Sequence, residues 1–198
     1  MLTIITSAAS TDLTVLATVK AELGITNRAD DEKLTGYIRQ ASDVVAKYCN
    51  RVFALETVTE TFRLAHRRDE LILSRFPVAS VASVVENEAT LAAADYEVEC
   101  DTGALLRLWF DAPTCWPRGK IVITYATGFD LPAGLPQGVE RAAILLVKQY
   151  ATSGDRDSMV RIETIDGAGS TEYFNAAGFD LPPEVEGLLT PHRKPING

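Results

Sequence analysis

Polar and apolar positions alternate with two different periods along the chain, and the changes of period divide it. Leu13, Leu16, Ala17 and Leu23 recur at helical spacing, with Lys20 the one polar break in their stripe. Ser10, Thr11 and Asp12 precede them as N-cap residues, and Gly24 follows as a residue that accepts positive φ, so a first helix is predicted here. The second helix has the clearest pattern. Asp30, Asp31 and Glu32 place negative charge at its start. Leu34, Tyr37, Ile38, Ala41, Val44, Val45 and Tyr48 then form one wide apolar face, which Asn50 terminates. From Glu56 the period becomes two. Val58, Phe62 and Leu64 alternate with Thr57, Thr59, Thr61 and Arg63, and the runs LILSRFPV, VASVV, YEVEC, ALLRLWF and KIVITYATGF follow. Asp101-Thr102-Gly103 reads as a turn, and four to six strands are expected before residue 128. A third helix is expected from Leu135-Pro136, with Val139, Ala142, Ala143, Leu146, Val147 and Tyr150 on its apolar face. The segment DRDSMVRIETIDGAGSTEYFN is either a hairpin about residues 166–169 or a loop ordered against a neighbour. Pro182-Pro183 opens a short helix, EVEGLL, and TPHRKPING reads as an exposed tail.

These elements predict an α+β fold. Three long helices and a short C-terminal one would form a helical core, with a β-rich insertion between the second and third long helices. The whole chain, 1–198, would be one domain: 1–55 and 129–180 the helical core, 56–128 the β-rich part, 181–198 a tail. The length of 198 residues is enough to bury a core without disulfide or metal staples. Hydrophobic residues at 46% and charged residues at 23% are ordinary for a globular chain.

Charge and side-chain inventory narrow the function. The formal net charge of −8 disfavours tight non-specific DNA binding, which needs many Lys and Arg contacts to phosphate. No apolar run reaches the ~18–20 residues of a membrane span, and the N-terminal residues lack the positive region of a signal peptide, so a cytoplasmic origin is expected. Cys49, Cys100 and Cys115 are too few and scattered for a disulfide framework, and with His66 and His192 they lack zinc-ligand spacing. Neither histidine sits where a fixed catalytic partner is expected, and Cys115 has no adjacent base. GAGST at 167–171 has neither the lysine of a phosphate loop nor the third glycine of a dinucleotide fingerprint. No enzyme, metal or cofactor is expected. Arg63, His66, Arg67 and Arg68 form the one internal basic patch, read either as a solvated hairpin tip or as a contact for an acidic partner or passing DNA.

The ordered segments resemble the phage head–tail connector, or portal adaptor, family of long-tailed phages and gene transfer agents. The resemblance is carried by LATVKAELGIT, DDEKLTGYIRQASDVVAKYCNRVF, ETVTETFRL, LILSRFPVASVASV, YEVECDTGALLRL, WPRGKIVITYATGF, LPQGVERAAILLVKQYATSGDR and LPPEVEGLLTPHRKP. It covers nearly the whole chain. It implies a structural subunit without catalysis, assembled in the bacterial cytoplasm into the neck of a particle. It further implies a homo-oligomeric ring, of twelve copies in the particle. The ring would bind the portal on one side and a stopper or other tail protein on the other, with double-stranded DNA passing through and no membrane contact. The C-terminal segment would dock on the portal, with Leu188, Leu189, Pro191, His192, Arg193 and Lys194 as its residues. Another neck component (a stopper or tail-completion protein), a small enzyme using Cys115 or His66, and a DNA-binding module are the rival readings.

Overall fold

The structure, a computed structural model, describes residues 1–153, 162–165, 169–172 and 181–194. Its strands are β1 (Leu2–Thr6), β2 (Glu56–Leu64), β3 (Glu70–Ile72), β4 (Val78–Glu86), β5 (Ala89–Thr90), β6 (Tyr96–Glu99), β7 (Ala104–Trp109), β8 (Ala112–Thr114), β9 (Gly119–Thr127), β10 (Ile162–Ile165) and β11 (Gly169–Glu172). Its helices are α1 (Leu16–Leu23), α2 (Asp31–Cys49), α3 (Gln137–Ser153) and α4 (Pro183–Leu189). They fall into two compact units, residues 1–10 with 52–130, and residues 11–51 with 131–198.

The first unit holds two antiparallel sheets. One has the order β1-β2-β9-β4-β5, and the other pairs β6, β7 and β3, with β8 also on β7. Long ladders organise it: β2 pairs β9 from Glu56↔Thr127 to Leu64↔Gly119, and β9 pairs β4 along its other edge. Alternation places Val58, Val84, Ile121, Ile123 and Tyr125 in one buried cluster with Leu71, Leu73, Leu105 and Trp116. One polar network is buried there. The Glu60 carboxylate accepts from the Ser74 amide at 2.9 Å, the Ser74 hydroxyl and the Tyr125 hydroxyl at 3.0 Å. Tyr125 is wholly enclosed, and burial, followed by the nearby Glu60 carboxylate, raises its pKa. Gly128 is required by backbone crowding. Its φ is +101°, and a Cβ there would sit 2.3 Å from the Ala54 carbonyl oxygen.

In the second unit, α2 buries Leu34, Ile38, Ala41, Ser42, Val45 and Cys49. Helix α3 buries Val139, Ala142, Ala143, Leu146 and Val147. Asn50 ends α2 in the left-handed conformation, and Gly24 does the same for α1. Strands β10 and β11 pair antiparallel, Ile162↔Glu172 to Ile165↔Gly169, which is the hairpin alternative for that segment.

The expected core of three long helices with one β insertion is wrong on several counts. Helix α1 has only eight residues, because Leu13 and Thr14 are buried in a non-helical lead-in. The Leu13 amide there donates to the Ser42 hydroxyl at 3.0 Å, and the Thr14 hydroxyl donates to Glu140 at 3.2 Å. Tertiary contacts thus capture the first residues of the helical pattern before a helix can use them. The N-terminal segment is a strand, since Thr3, Ile4, Ile5 and Thr6 are β-branched and Leu2, Thr3, Ile4 and Thr6 pair with β2. The middle block contains eight strands in place of four to six. Among the described residues the fold is therefore β-rich: two antiparallel sheets of nine strands in the first unit, the β10–β11 pair, and four helices, of which two are long.

Candidate functional site

The basic patch is built by the ends of two neighbouring strands and a loop. Arg63 lies near the end of β2, directly opposite Lys120 at the start of β9. Directly opposed residues in an antiparallel pair share a sheet face with Cβ atoms about 5 Å apart. Arg63, Leu64, Ala65, Arg118, Gly119 and Lys120 line an open cleft of about 350 Å3. His66, Arg67 and Arg68 continue from it, all exposed. Trp116 holds this loop in place: its indole is buried and donates to the Leu105 carbonyl at 3.0 Å, while its backbone exchanges hydrogen bonds with Arg68 at 2.7 and 3.2 Å. Among the described residues, Arg63, Arg67, Arg68, Arg118 and Lys120 form no ion pair with a carboxylate. Arg118 and Lys120 were not part of the patch expected from sequence. They join it only through the β2–β9 register, which brings together residues nearly sixty positions apart.

The same region answers the question of Cys115. Its thiol donates to Asp69 Oδ1 at 3.1 Å, and that bond, followed by burial, raises its pKa. The nucleophilic thiolate is thereby disfavoured. Cys49 is buried, which pushes its thiol up to about 11. Among the described residues no group of His, Cys, Asp and Glu is placed to hold a metal ion, and no helix is long and apolar enough to cross a membrane.

The C-terminal residues are built into the second unit. On α4, Val185 and Leu189 lie four positions apart on one face, and both are buried. The Leu189 carbonyl faces the Cys49 thiol at 4.0 Å, and the Lys194 amide donates to the Cys49 carbonyl at 2.9 Å. The Tyr48 hydroxyl donates to Glu186 at 2.9 Å, and the Arg193 guanidinium lies 5.3 Å from the Tyr48 ring centre. Arg51 donates to the His192 carbonyl at 3.5 Å. Of the six tail residues singled out from sequence, Leu189 is fully buried, Leu188, His192 and Lys194 are half-buried, and Pro191 and Arg193 are exposed. Residues 195–198 lie outside the described residues.

A third feature escaped the sequence reading. Phe110 and Asp111 form the two-residue turn between β7 and β8, with φ of 49° and 63°. Both angles are positive, as a type I′ turn demands, and a bulky residue rarely adopts that conformation. Phe110 is 89% exposed, and its ring meets the exposed Trp109 edge-on at 5.1 Å. The turn thus holds an aromatic pair outward at a backbone conformation that bulky side chains rarely adopt.

Three solved chains share this fold, each aligned over 100% of this chain and 98% of its own. One comes from the neck of an empty gene transfer agent particle computed with C6 symmetry, with a TM-score of 0.60 and 20% identity. Another comes from the virion of a native gene transfer agent particle, at 0.62 and 21%. The third comes from the neck of a native particle computed with C12 symmetry, at 0.61 and 21%. No curated protein gives a match. The model of one family, described as Head completion protein, matches residues 12–195. That match spans both units and nearly all of the sequence, and the chain belongs to the head completion protein family.

Proposed function

We propose that the protein is a structural head–tail adaptor, a non-enzymatic subunit that forms a ring beneath the portal and joins it to the stopper or tail. The reading rests on the family match over residues 12–195, together with a fold shared end to end with chains from the necks and virions of gene transfer agent particles. The surfaces agree with such a role. The exposed features are contact elements: a basic strand end, an aromatic turn and a C-terminal segment. Double-stranded DNA would pass through the ring, with Arg63, Arg118, Lys120 and the His66–Arg68 loop as the basic groups that meet its phosphates. Portal docking falls to the exposed side of the C-terminal segment, Pro191 and Arg193 with the half-buried Leu188, His192 and Lys194. Leu189 serves this surface from beneath as an internal anchor.

Capture of the full-length chain on the purified portal ring tests the proposal. Retention of wild type, weakened several-fold by Arg193→Glu without loss of fold, is the expected result. Failure of wild type to bind the portal overturns the adaptor reading, and binding to a tail ring instead identifies a tail-completion protein. Removing everything after Asp180 is an unsuitable variant, because it strips Val185 and Leu189 from the core of the second unit.

A further inference from the structure

The five-stranded sheet of the first unit ends in β1 on one side and in β4 with the short β5 on the other, and among the described residues no further strand pairs beyond them. On one side lies β1, whose five residues, Leu2–Thr6, include no charge and no proline. Ile4 and Ile5 on it are 46% and 58% exposed. On the other side, β5 pairs only with Val85 and Glu86 at the far end of β4. That flank is closed at both ends, where the Val78 amide donates to the Cys100 carbonyl at 2.8 Å and the Val84 carbonyl accepts from the Leu91 amide at 2.9 Å; between them Ala79, Ser80, Val81, Ala82 and Ser83 have no strand partner there among the described residues, and this stretch is uncharged. Neither edge carries a lysine, an inward charge or a proline as a guard; each is interrupted by a register shift, at Ile4/Thr6 in β1 and at Val78/Ser80 and Val81/Ser83 in β4.

We propose that copies of this chain join edge to edge, β1 of one copy adding to the 79–83 flank of β4 in the next. The inference rests on the ring reading above and assigns the surface through which the ring closes. Three observations select a second copy as the occupant. The two stretches match in residue count, five each, and each carries a register shift, so both fall short of the about 17 Å of a regular five-residue strand. Their directions also match. With every neighbouring pair in the sheet antiparallel, β1 and β4 run in opposite senses. A rotation about an axis along the strands preserves those senses, so β1 of the next copy arrives antiparallel to β4, the stronger pairing. Finally, β1 and β4 lie toward opposite sides of one sheet, so joining them is a head-to-tail contact. Such contacts repeat into a ring when the rotation closes, whereas β1 on β1 stops at a dimer and leaves every β4 flank open. The fold already contains the required arrangement: β3 and β8 share one edge of β7 end to end, pairing Ala104–Leu106 and Arg107–Trp109. An incoming β1 would share the β4 edge with β5 in the same way.

The test uses the full chain with the exposed Cys100 and Cys115 changed to serine, loaded on the portal ring. A variant carrying both Ile5→Cys and Ala82→Cys is treated with a short bis-maleimide. A ladder of covalent multimers is expected, with none from either single-cysteine chain. Ile5 falls at the register shift of β1, where it pairs with no residue of β2, so Ile5→Lys leaves the internal ladder intact. Ile5→Lys and Ala82→Lys should each reduce ring occupancy at least tenfold, and Ile5→Lys combined with Ala82→Glu should restore most of it. Full wild-type capture without a ladder, and with Ile5→Lys indifferent, overturns this interface and leaves the adaptor reading standing. Dimers from Ile5→Cys alone also overturn it, in favour of β1 on β1. If Ile5→Lys unfolds by circular dichroism, the cross-link decides alone. Absence of wild-type capture removes both readings together.

Discussion

Replacing Leu189 with alanine discriminates between a C-terminal segment that is part of the fold and one that is a free arm. Leu189 is fully enclosed, and only one other residue of α4, Val185, is buried with it. Three carbons leave the interior on substitution, worth roughly 2.4 kcal/mol of transfer free energy at about 0.8 kcal/mol each. The unfilled space beside Cys49 adds a cavity term, so the loss should fall in the range of about 2–5 kcal/mol seen for buried leucines. Helix α4 has seven residues and cannot persist alone, so part of the loss will appear as local release of the segment after residue 180. Urea denaturation followed by near-UV circular dichroism gives the global effect. At an m-value of about 2 kcal/mol/M, the midpoint should fall by about 1 M or more. Limited proteolysis reads the local effect, as earlier cleavage beyond residue 180. Leu189→Met, which nearly conserves volume, should cost less than about 1.5 kcal/mol. An unchanged midpoint together with unchanged proteolysis for Leu189→Ala would refute the buried anchor and return the segment to a free docking arm.

Tyr125→Phe removes one of three donors to the buried Glu60 carboxylate and should cost about 2 kcal/mol by thermal or urea melting, with no effect on the second unit. Gly128→Ala sets a methyl group against the Ala54 carbonyl at a positive φ; a loss of more than about 3 kcal/mol is expected, or failure to fold on expression. Burial, and then Arg51, hold His192 below its ordinary value of 6.5, so the unfolded chain takes up the proton more readily. That contribution to stability is complete above the ordinary value and falls away as pH drops through it; His192→Gln should flatten the decline in melting temperature between about pH 7 and pH 5. In the proposed role the wild type should bind duplex DNA weakly at low salt by fluorescence anisotropy, and Arg63→Glu combined with Lys120→Glu should abolish that binding and reduce the salt slope by about 2.

Signals within a few positions are legible in the sequence for α2, α3 and several turns, whereas the start of α1 and the strand partners, which tertiary contacts decide, are not. The apolar faces of α2 and α3, the left-handed ends at Gly24 and Asn50, and the turn at Gly103 all follow from spacing and residue type over a few positions. The division into two sheets does not. LILS and VASVV are adjacent and alike in sequence, yet β3 joins β7 and β4 joins β9. Which partner a strand takes depends on packing across the unit, which composition does not record. Two hairpins also lack the usual glycine signal, since their positive φ positions are Asn87-Glu88 and Phe110-Asp111. At the candidate sites, the loop His66–Arg68 was visible as a local charge run, whereas Arg118 and Lys120 needed the register of β9. The prolines near the C-terminus suggested an exposed tail, but Val185 and Leu189 at helical spacing already indicated a docked face.

A net charge of −8 and a basic strand end are compatible because charge acts over a limited distance. At physiological ionic strength the screening length is about 8 Å, so an anion at the cleft between Arg63 and Lys120 responds to those groups and to Arg118, with the distant carboxylates largely screened. The number of cations then sets the grip. Each neutralised phosphate contributes roughly 0.9 to the salt slope, and a subunit offering two or three contacts holds a duplex only weakly at physiological salt. A long basic face would retard a strand that must move, and a wholly acidic face would repel it from the wall. In the proposed adaptor role, a few unpaired cations on an otherwise acidic subunit give contacts that form and break quickly. Among the described residues Arg63, Arg67, Arg68, Arg118 and Lys120 form no ion pair, which leaves their charge available to a passing phosphate in the proposed role.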